Sequence, residues 1–201
     1  MRPAGAVIGV VLALLLSAPV QADQAKAIFA TGCFWCTESD FEKLEGVVEV
    51  VSGYTGGDLE NPTYEQVGIG GTGHTEAVEI VFDPAKVSYE KLLEHFWRTH
   101  DPFNGEGQFC DRGAHYRPGI FYLDDAQKQA ALASREATQK LFDRKIVTEI
   151  TAATRFWPAE DYHQDYYKRN SLRYRYYRHG CGRDALIQTI WESAQMPERT
   201  P

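Results

Sequence analysis

Residues 25 to 46 read AKAIFATGCFWCTESDFEKLEG and contain the pattern from which the start of the fold is predicted. The apolar run Ala25–Thr31 is typical of a short strand, and Gly32 follows it directly. Apolar side chains then recur at spacings of seven and three, which favours a helix over residues 33–44. The stretch therefore predicts a strand that turns sharply at Gly32 into a helix, with Cys33 at the helix start.

Farther along the chain, strands and helices are interspersed with hairpin-like returns and do not alternate strictly. The predicted strands cover residues 47–54, 75–82, 118–123 and 145–152. The predicted helices cover a segment capped by Ser88 and residues 124–142, 158–168 and 184–194. This order favours an α+β fold, a single-domain two-layer sandwich with a mixed sheet and flanking helices.

The first 22 residues have the pattern of a secretory signal peptide. Arg2 is the one cation, an apolar run covers residues 6–16, and Val20-Gln21-Ala22 supplies small residues at the end. The run is shorter than the roughly 20 apolar residues that a membrane span needs; an uncleaved anchor is the alternative. We expect cleavage after Ala22, one domain over 23–201, and a periplasmic or secreted protein.

Composition narrows the possible partners. The 201 residues include 21 Lys and Arg against 28 Asp and Glu, giving a formal net charge of −7. An acidic surface argues against nucleic acid or an anionic membrane as the main partner. The chain has 4 cysteines, and in an exported protein these could form two inert structural disulfides.

The segment Gly32-Cys33-Phe34-Trp35-Cys36 can carry redox chemistry. A thiol at a helix N-terminus faces free backbone N–H groups and the positive end of the helix dipole, so we expect a lowered pKa for Cys33. A structural disulfide or a buried aromatic turn is an equally open alternative. Thioredoxin-type exchange is disfavoured because two bulky aromatics separate the cysteines. Zinc is disfavoured because no second pair of ligands lies at short spacing.

Several motifs in order resemble the peptide methionine sulfoxide reductase A family. They cover residues 26 to 170 and read GCFW at 32–35, GYTGG at 53–57, NPTY at 61–64, GHTEAV at 73–78, HDP at 100–102, DRG at 111–113 and AEDYHQ at 159–164. Members of this family return methionine sulfoxide to methionine. The resemblance implies a ferredoxin-like core and reduction of the S-sulfoxide, free or in proteins, as a repair of oxidative damage.

The resemblance also assigns roles to individual residues. Cys33 would be the nucleophile, passing through a sulfenic acid and an intramolecular disulfide. Glu76 would be the general acid. The other implied site residues are Tyr64, Asp111 and Tyr116 around the sulfoxide oxygen, and Phe34 and Trp35 around the substrate methyl group. The resemblance further implies a thioredoxin-like reductant, and we expect no metal, no organic cofactor and a monomer.

These assignments have alternatives. Burial beside aromatics would keep the Glu76 carboxyl protonated near neutral pH, as acid catalysis requires; taken alone, Glu76 could be a solvated acid on a strand edge. His163 is expected to make a structural hydrogen bond outside the active site. The Arg- and Tyr-rich stretch 169–178 is expected to pack as a tail rich in cation–π contacts.

The thiol that resolves the sulfenic acid has more than one candidate. The best-known family pattern has two cysteines in a glycine-rich C-terminal tail, whereas here only Cys181 lies there, between Gly180 and Gly182. Its mobile context favours Cys181 as the resolving thiol, with Cys36 as the alternative and Cys110 as a third participant or an inert thiol. The rival function is a non-catalytic exported binding or structural protein with two disulfides.

Overall fold

A mixed sheet forms the centre of the protein. The structure is a computed structural model, and it describes residues 24–194. The proposed signal peptide lies outside these residues. The strands, in chain order, are Ala25–Ala30 (β1), Val47–Thr55 (β2), Thr75–Phe82 (β3), Gly107–Gln108 (β4), Asp111–Arg112 (β5), Gly119–Tyr122 (β6), Glu149–Ala152 (β7) and Trp157–Pro158 (β8). The main sheet has the order β7-β6-β1-β3-β2-β8, and β4 pairs with β5 separately. Its pairs are antiparallel except for β6 with β7, which is parallel.

The helices are Phe34–Phe41 (α1), Tyr64–Ile69 (α2), Tyr89–Trp97 (α3), Asp125–Gln139 (α4), Tyr166–Arg169 (α5), Ser171–Gly180 (α6) and Arg183–Ala194 (α7). A single 3-10 turn covers Ala114–Tyr116. No helix within the described range is long and apolar enough to cross a membrane. The α+β class and the mixed sheet are as predicted.

The core lies between the sheet and three helices. Alternate β1 residues point to opposite faces, as the period of two requires. Phe29 joins the main buried cluster, which includes Phe41 of α1, Phe96 of α3 and Ala131 of α4. Ile28 joins a smaller cluster on the other face, where Ala153 and Phe156 pack against it. Sheet and helices therefore form the two expected layers.

The register of β3 positions the site. This strand pairs with β1 on one side and with β2 on the other, and Glu76 lies opposite Tyr54. Because β1 runs antiparallel to β3, its carboxyl end reaches the same edge of the sheet at which β3 starts. The turn through Gly32 and the first turn of α1 consequently lie beside Glu76.

Two predictions of secondary structure need correction. The expected helix over 158–168 is wrong: Pro158 pairs with Gly53 in β8, and only Tyr166–Arg169 is helical. Asp165 there has φ 55°, which interrupts a right-handed helix. Helix α2, which begins with a capping box between Thr63 and Gln66, was not predicted.

The stretch 169–178 also differs from expectation. It contains the end of α5 and most of α6, with Tyr174 buried. The charge of Arg178 is neutralised by carboxylates, at 2.7 Å from Asp40 and 2.6 Å from Asp184. Ion pairing, and not the predicted cation–π packing, therefore holds this arginine.

Candidate active site

Cys33 lies at the N-cap of α1, where the sequence places it. Gly32 before it has φ +91°, and a Cβ added there would lie 2.6 Å from Gln108 Cβ, so this sharp turn needs glycine. The carbonyl oxygen of Cys33 accepts hydrogen bonds from the N–H groups of Cys36 at 3.0 Å and Thr37 at 3.2 Å. The Cys33 thiol is thus held at the first turn of a helix and is 7% exposed.

The electrostatics of Cys33 differ from the prediction of a lowered pKa. Burial raises its pKa well above the ordinary value, and the Cys36 thiol and Glu76 raise it further. The pKa of Cys36 falls to about 7, first because of its hydrogen bond with Cys33 and then because of the charges of Arg183 and Arg178, although burial opposes this. Burial therefore opposes the lowered pKa that the helix start predicts, and the direction of the shift favours the protonated thiol of Cys33.

Glu76 lies against the first residue of α1. Its Oε2 accepts a hydrogen bond from the Phe34 N–H at 2.9 Å, and the side chain is buried. Burial raises its pKa to about 8, with smaller contributions from the Asp111 and Cys36 charges, while the Phe34 N–H acts in the opposite direction. The alternative of a solvated strand-edge acid is wrong, and the carboxyl is mostly protonated at pH 7.

An open cavity of about 650 Å³ brings four of the predicted site residues together. Tyr64, Glu76, Asp111 and Tyr116 all line it. They come from the start of α2, the start of β3, from β5 and from the 3-10 turn. Burial raises the pKa of Tyr64 to about 12 and that of Tyr116 further, so both hydroxyls remain hydrogen-bond donors near neutral pH.

Phe34 and Trp35 lie next to this cavity in different surroundings. Phe34 is buried, and its ring centroid lies 6.3 Å from that of Tyr64 and 4.9 Å from that of His163. Trp35 stacks on Tyr166 at 3.7 Å, and its Nε1 donates to His163 Nδ1 at 3.0 Å. The structural role expected for His163 matches these contacts, since it fixes the orientation of Trp35.

Two positioning contacts were missed in the sequence. Glu160 Oε1 accepts from the Tyr64 N–H at 2.9 Å and Oε2 accepts from the Tyr54 hydroxyl at 2.8 Å. These bonds fix the first turn of α2 against β2. The AEDYHQ motif at 159–164 contains Glu160 and was the available signal.

Tyr177 of α6 was also missed. Its hydroxyl donates to Asp111 Oδ2 at 2.5 Å and interacts with the Cys33 thiol, which raises the pKa of Tyr177 further beyond the effect of burial. Its ring packs edge-on against Trp35 at 5.9 Å. A chain of polar groups thus runs from the Cys33 sulfur through Tyr177 to Asp111 in the cavity wall.

The cysteines are arranged in a way that spacing could not reveal. Cys110 and Cys181, separated by 71 positions, form a disulfide with a Cα–Cα distance of 4.9 Å. Cys33 and Cys36 are free. The alternative with two disulfides is therefore wrong for this state. Cys110 directly precedes Asp111, so the bond joins the cavity wall to the end of α6.

Within residues 24–194, two groups of acidic and sulfur ligands are close enough to be considered for a metal. Cys110, Asp111 and Cys181 form one, but its sulfurs are bonded to each other. Glu38, Glu42 and Asp165 form the other, where Lys168 Nζ lies 2.7 Å from both Glu42 and Asp165. The lysine ammonium already pairs with two of the three acidic side chains in that group.

Comparison with known proteins gives a consistent result. Residues 25–195 match the family model for peptide methionine sulfoxide reductase. The chain is similar to "Peptide methionine sulfoxide reductase MsrA/MsrB" of Vibrio cholerae, with 51% identity over 85% of this chain, although it spans only 46% of that longer protein. "Peptide methionine sulfoxide reductase MsrA 2" of Rhizobium meliloti is 48% identical over 91% of this chain and 92% of its own length. The solved methionine sulfoxide reductase A of Corynebacterium diphtheriae superposes with a TM-score of 0.67 and 34% identity, covering 80% of this chain and 81% of its own.

Proposed function

This chain belongs to the peptide methionine sulfoxide reductase family, and on that premise we propose how its residues perform the reaction. The enzyme reduces methionine S-sulfoxide to methionine with thiols as the source of electrons. The observation that carries the assignment of residues is the Glu76 carboxyl, which is buried, largely protonated and bonded to the N–H next to Cys33. A proton donor close to a thiol is what reduction of a sulfoxide requires.

The oxygen of the substrate needs a proton before its bond to sulfur breaks. The hydroxyls of Tyr64 and Tyr116 bind this oxygen as neutral donors, and Glu76 transfers a proton to it. Cys33 Sγ attacks the sulfoxide sulfur, and the oxygen ends on Cys33. The products are methionine, reduced by two electrons, and a Cys33 sulfenic acid, oxidised by two electrons.

The Cys33 thiol must also lose its proton, since the thiolate is the nucleophile. The chain of polar groups through Tyr177 supplies a route: the hydroxyl accepts the thiol proton and passes its own proton to Asp111 Oδ2. Asp111 lies in the cavity wall, from which the proton exchanges with water. Glu76 thus donates a proton to the sulfoxide oxygen, and Asp111 receives the proton that Cys33 loses.

The sulfenic acid is then resolved by a second thiol. We retain Cys181 in this role: it condenses with Cys33 and releases water, and the Cys110 thiol then displaces Cys33. This order ends with a Cys110–Cys181 disulfide and free Cys33 and Cys36, which is the arrangement of the structure. A thioredoxin-type dithiol reduces the final disulfide.

Cys36 is the alternative resolving thiol, and one observation favours it. Its thiol interacts directly with that of Cys33 and has a pKa near 7, so a large fraction is thiolate at neutral pH. Resolution by Cys36 would form a Cys33–Cys36 bond within the first turn of α1. The two routes therefore differ in the first disulfide formed.

A single-turnover assay tests the function. Reduced protein, mixed with methionine S-sulfoxide and no reductant, should release methionine and lose two free thiols per chain. Cys33→Ser, which is nearly isosteric, should release none while keeping its fold by circular dichroism. Methionine release at the wild-type rate by Cys33→Ser would exclude Cys33 as the nucleophile.

We also propose that the enzyme acts outside the cytoplasm as a monomer. The pattern of residues 1–22 supports export. The net charge of −7 supports a monomer, because copies of like charge repel each other. N-terminal sequencing of protein purified from expressing bacteria should begin at Asp23. Retention of Met1, or a dimer in sedimentation, would contradict this part of the proposal.

A further inference from the structure

The outward side of α6 carries exposed apolar and basic side chains, although the chain as a whole is acidic. We propose that it is the docking surface for the acidic protein dithiol that reduces the enzyme. This inference rests on the proposed function, and it adds the place at which the reductant binds. We call the surface the α6 outer face and define it by its members: Leu172, Arg173, Arg175, Tyr176 and His179.

Apolar side chains on this face are open to solvent. Tyr176 is 85% exposed and Leu172 is 75% exposed. Leu172, Tyr176 and His179 follow one another at spacings of four and three, so they lie along one side of the helix. Tyrosine and arginine are enriched among the residues that dominate protein–protein binding, and both types lie here together.

The charge of the face is opposite to that of the whole chain. No acidic residue occurs from residue 166 to 183, whereas the chain as a whole has a net charge of −7. Arg178 of the same helix is neutralised by Asp40 and Asp184 on its inner side, while Arg173 and Arg175 are exposed. Such a basic and apolar surface is complementary to an acidic partner that also offers an apolar contact.

The position of the face identifies the partner. The helix ends at Gly180, and Cys181 follows it. Tyr176 precedes Cys181 by five residues, which is a rise of about 7.5 Å along the helix and a rotation of about 140° around it, so Cys181 lies on the inner side at the helix end. Cys110, the other half of the disulfide, is exposed. A standard interface covers about 800 Å² on each partner, which is wider than one helix, so a protein bound on the face and past the C-terminal end of α6 reaches the exposed Cys110 sulfur.

Thiol–disulfide exchange within this complex conserves atoms and electrons. A donor thiolate attacks the exposed Cys110 sulfur, forms a mixed disulfide and releases Cys181 as a thiolate. The second donor thiol then displaces Cys110, so the donor leaves as a disulfide and two protons remain on Cys110 and Cys181. Two electrons pass to the enzyme in one encounter.

Two double variants test the surface. One is Leu172→Ser with Tyr176→Ala, and the other is Arg173→Glu with Arg175→Glu. Steady-state turnover is measured with purified bacterial thioredoxin, kept reduced by its NADPH-dependent reductase, and separately with dithiothreitol. Lys140→Glu with Leu141→Ala is the matched control, since it changes an exposed cation and an exposed leucine at the end of α4.

We expect each variant to raise the KM for thioredoxin by about tenfold, because hot-spot side chains have effects of this size. The effect of the charge variant should shrink at high ionic strength, since salt screens exposed charges. Turnover with dithiothreitol should stay within about twofold of wild type, because a small dithiol needs no docking surface. The control variant should match wild type with both donors.

Unchanged thioredoxin kinetics in both variants would overturn the inference. So would a raised KM for an oxidised protein substrate with normal thioredoxin kinetics, because the face would then bind substrate. Wild-type enzyme that is inactive even with dithiothreitol would contradict the proposed function itself, and the inference with it.

Discussion

At the scale of single residues, the reaction depends on how the protein positions protons around one sulfur atom. Glu76 is buried and protonated, Cys33 is buried and has a raised pKa, and Tyr177 connects Cys33 to Asp111. The resemblance identified Glu76, Asp111 and both cavity tyrosines. It could not reveal the raised pKa of Cys33, because the pKa of a thiol depends on burial, which only the packed structure shows.

Glu76→Gln should slow the chemical step by about 10²–10⁴-fold, because it keeps the size of the side chain but removes the proton that is transferred. In wild type this acid is lost as the pH rises through about 8, so the Glu76-dependent part of the rate should fall there. Stopped-flow rates measured across pH test this. Rates for Glu76→Gln within about twofold of wild type would exclude acid catalysis by this residue.

The same raised pKa affects stability. Between the ordinary value of 4.5 and the folded value of about 8, folded protein holds a proton that unfolded chain has lost. The Glu76 contribution to the free energy of unfolding is therefore complete below the lower value, declines with rising pH, and is lost above about 8. Urea titrations should show a flatter pH profile for Glu76→Gln than for wild type.

Tyr177→Phe should slow methionine release on the order of tenfold, because it removes the hydroxyl between Cys33 and Asp111 while keeping the ring against Trp35. The ratio of the wild-type rate to the Tyr177→Phe rate should narrow at alkaline pH, since hydroxide can then take the thiol proton directly, although both rates fall as Glu76 loses its proton. Tyr176→Phe, which changes an exposed hydroxyl one residue away, is the control. A uniform loss at every pH would indicate a purely structural role.

At the scale of elements, one buried carboxylate joins three segments around the site. Glu38 of α1 accepts from the Asp165 N–H at 2.9 Å and from the Ser52 hydroxyl at 3.1 Å. These bonds attach α1 to β2 and to the turn before α5. Sequence periodicity located α1 and β2 correctly, but it predicted a helix where this turn lies, because the contacts that stabilise the turn come from residues more than 100 positions away.

Glu38→Ala should lower the free energy of unfolding by about 2–4 kcal/mol, because two buried donors lose their acceptor. Glu38→Gln keeps an acceptor oxygen and should lose less. Urea denaturation of both variants near neutral pH measures the difference. Equal stability of Glu38→Ala and wild type would show that water replaces both bonds.

At the scale of the whole molecule, the proposed catalytic cycle uses cysteines from both ends of the domain. Cys33 lies near the start of the described chain, and Cys181 lies near its end. The fold class and five of the six strands of the main sheet could be predicted from pattern and resemblance. The pairing of Cys110 with Cys181 could not, since local periodicity gives no information on contacts across 71 positions.

Peptide mapping during one turnover should find a Cys33–Cys181 crosslink before Cys110–Cys181 accumulates. Cys181→Ser should still release one methionine per enzyme but turn over slowly with thioredoxin, because that donor exchanges with disulfides better than with a sulfenic acid. Cys36→Ser should have a smaller effect. An early Cys33–Cys36 bond, with normal turnover of Cys181→Ser, would give the resolving role to Cys36.

The Cys110–Cys181 bond has a further consequence, for the lifetime of the protein. A crosslink across 71 positions restricts the unfolded chain, and chain-entropy arguments assign a loop of that size about 4 kcal/mol. The oxidised enzyme should then melt at a higher temperature and resist proteolysis better than the reduced enzyme, a difference that Cys110→Ser abolishes. When reductant is exhausted, the inactive oxidised enzyme is also the more stable form, and it regains activity once a reductant is available again.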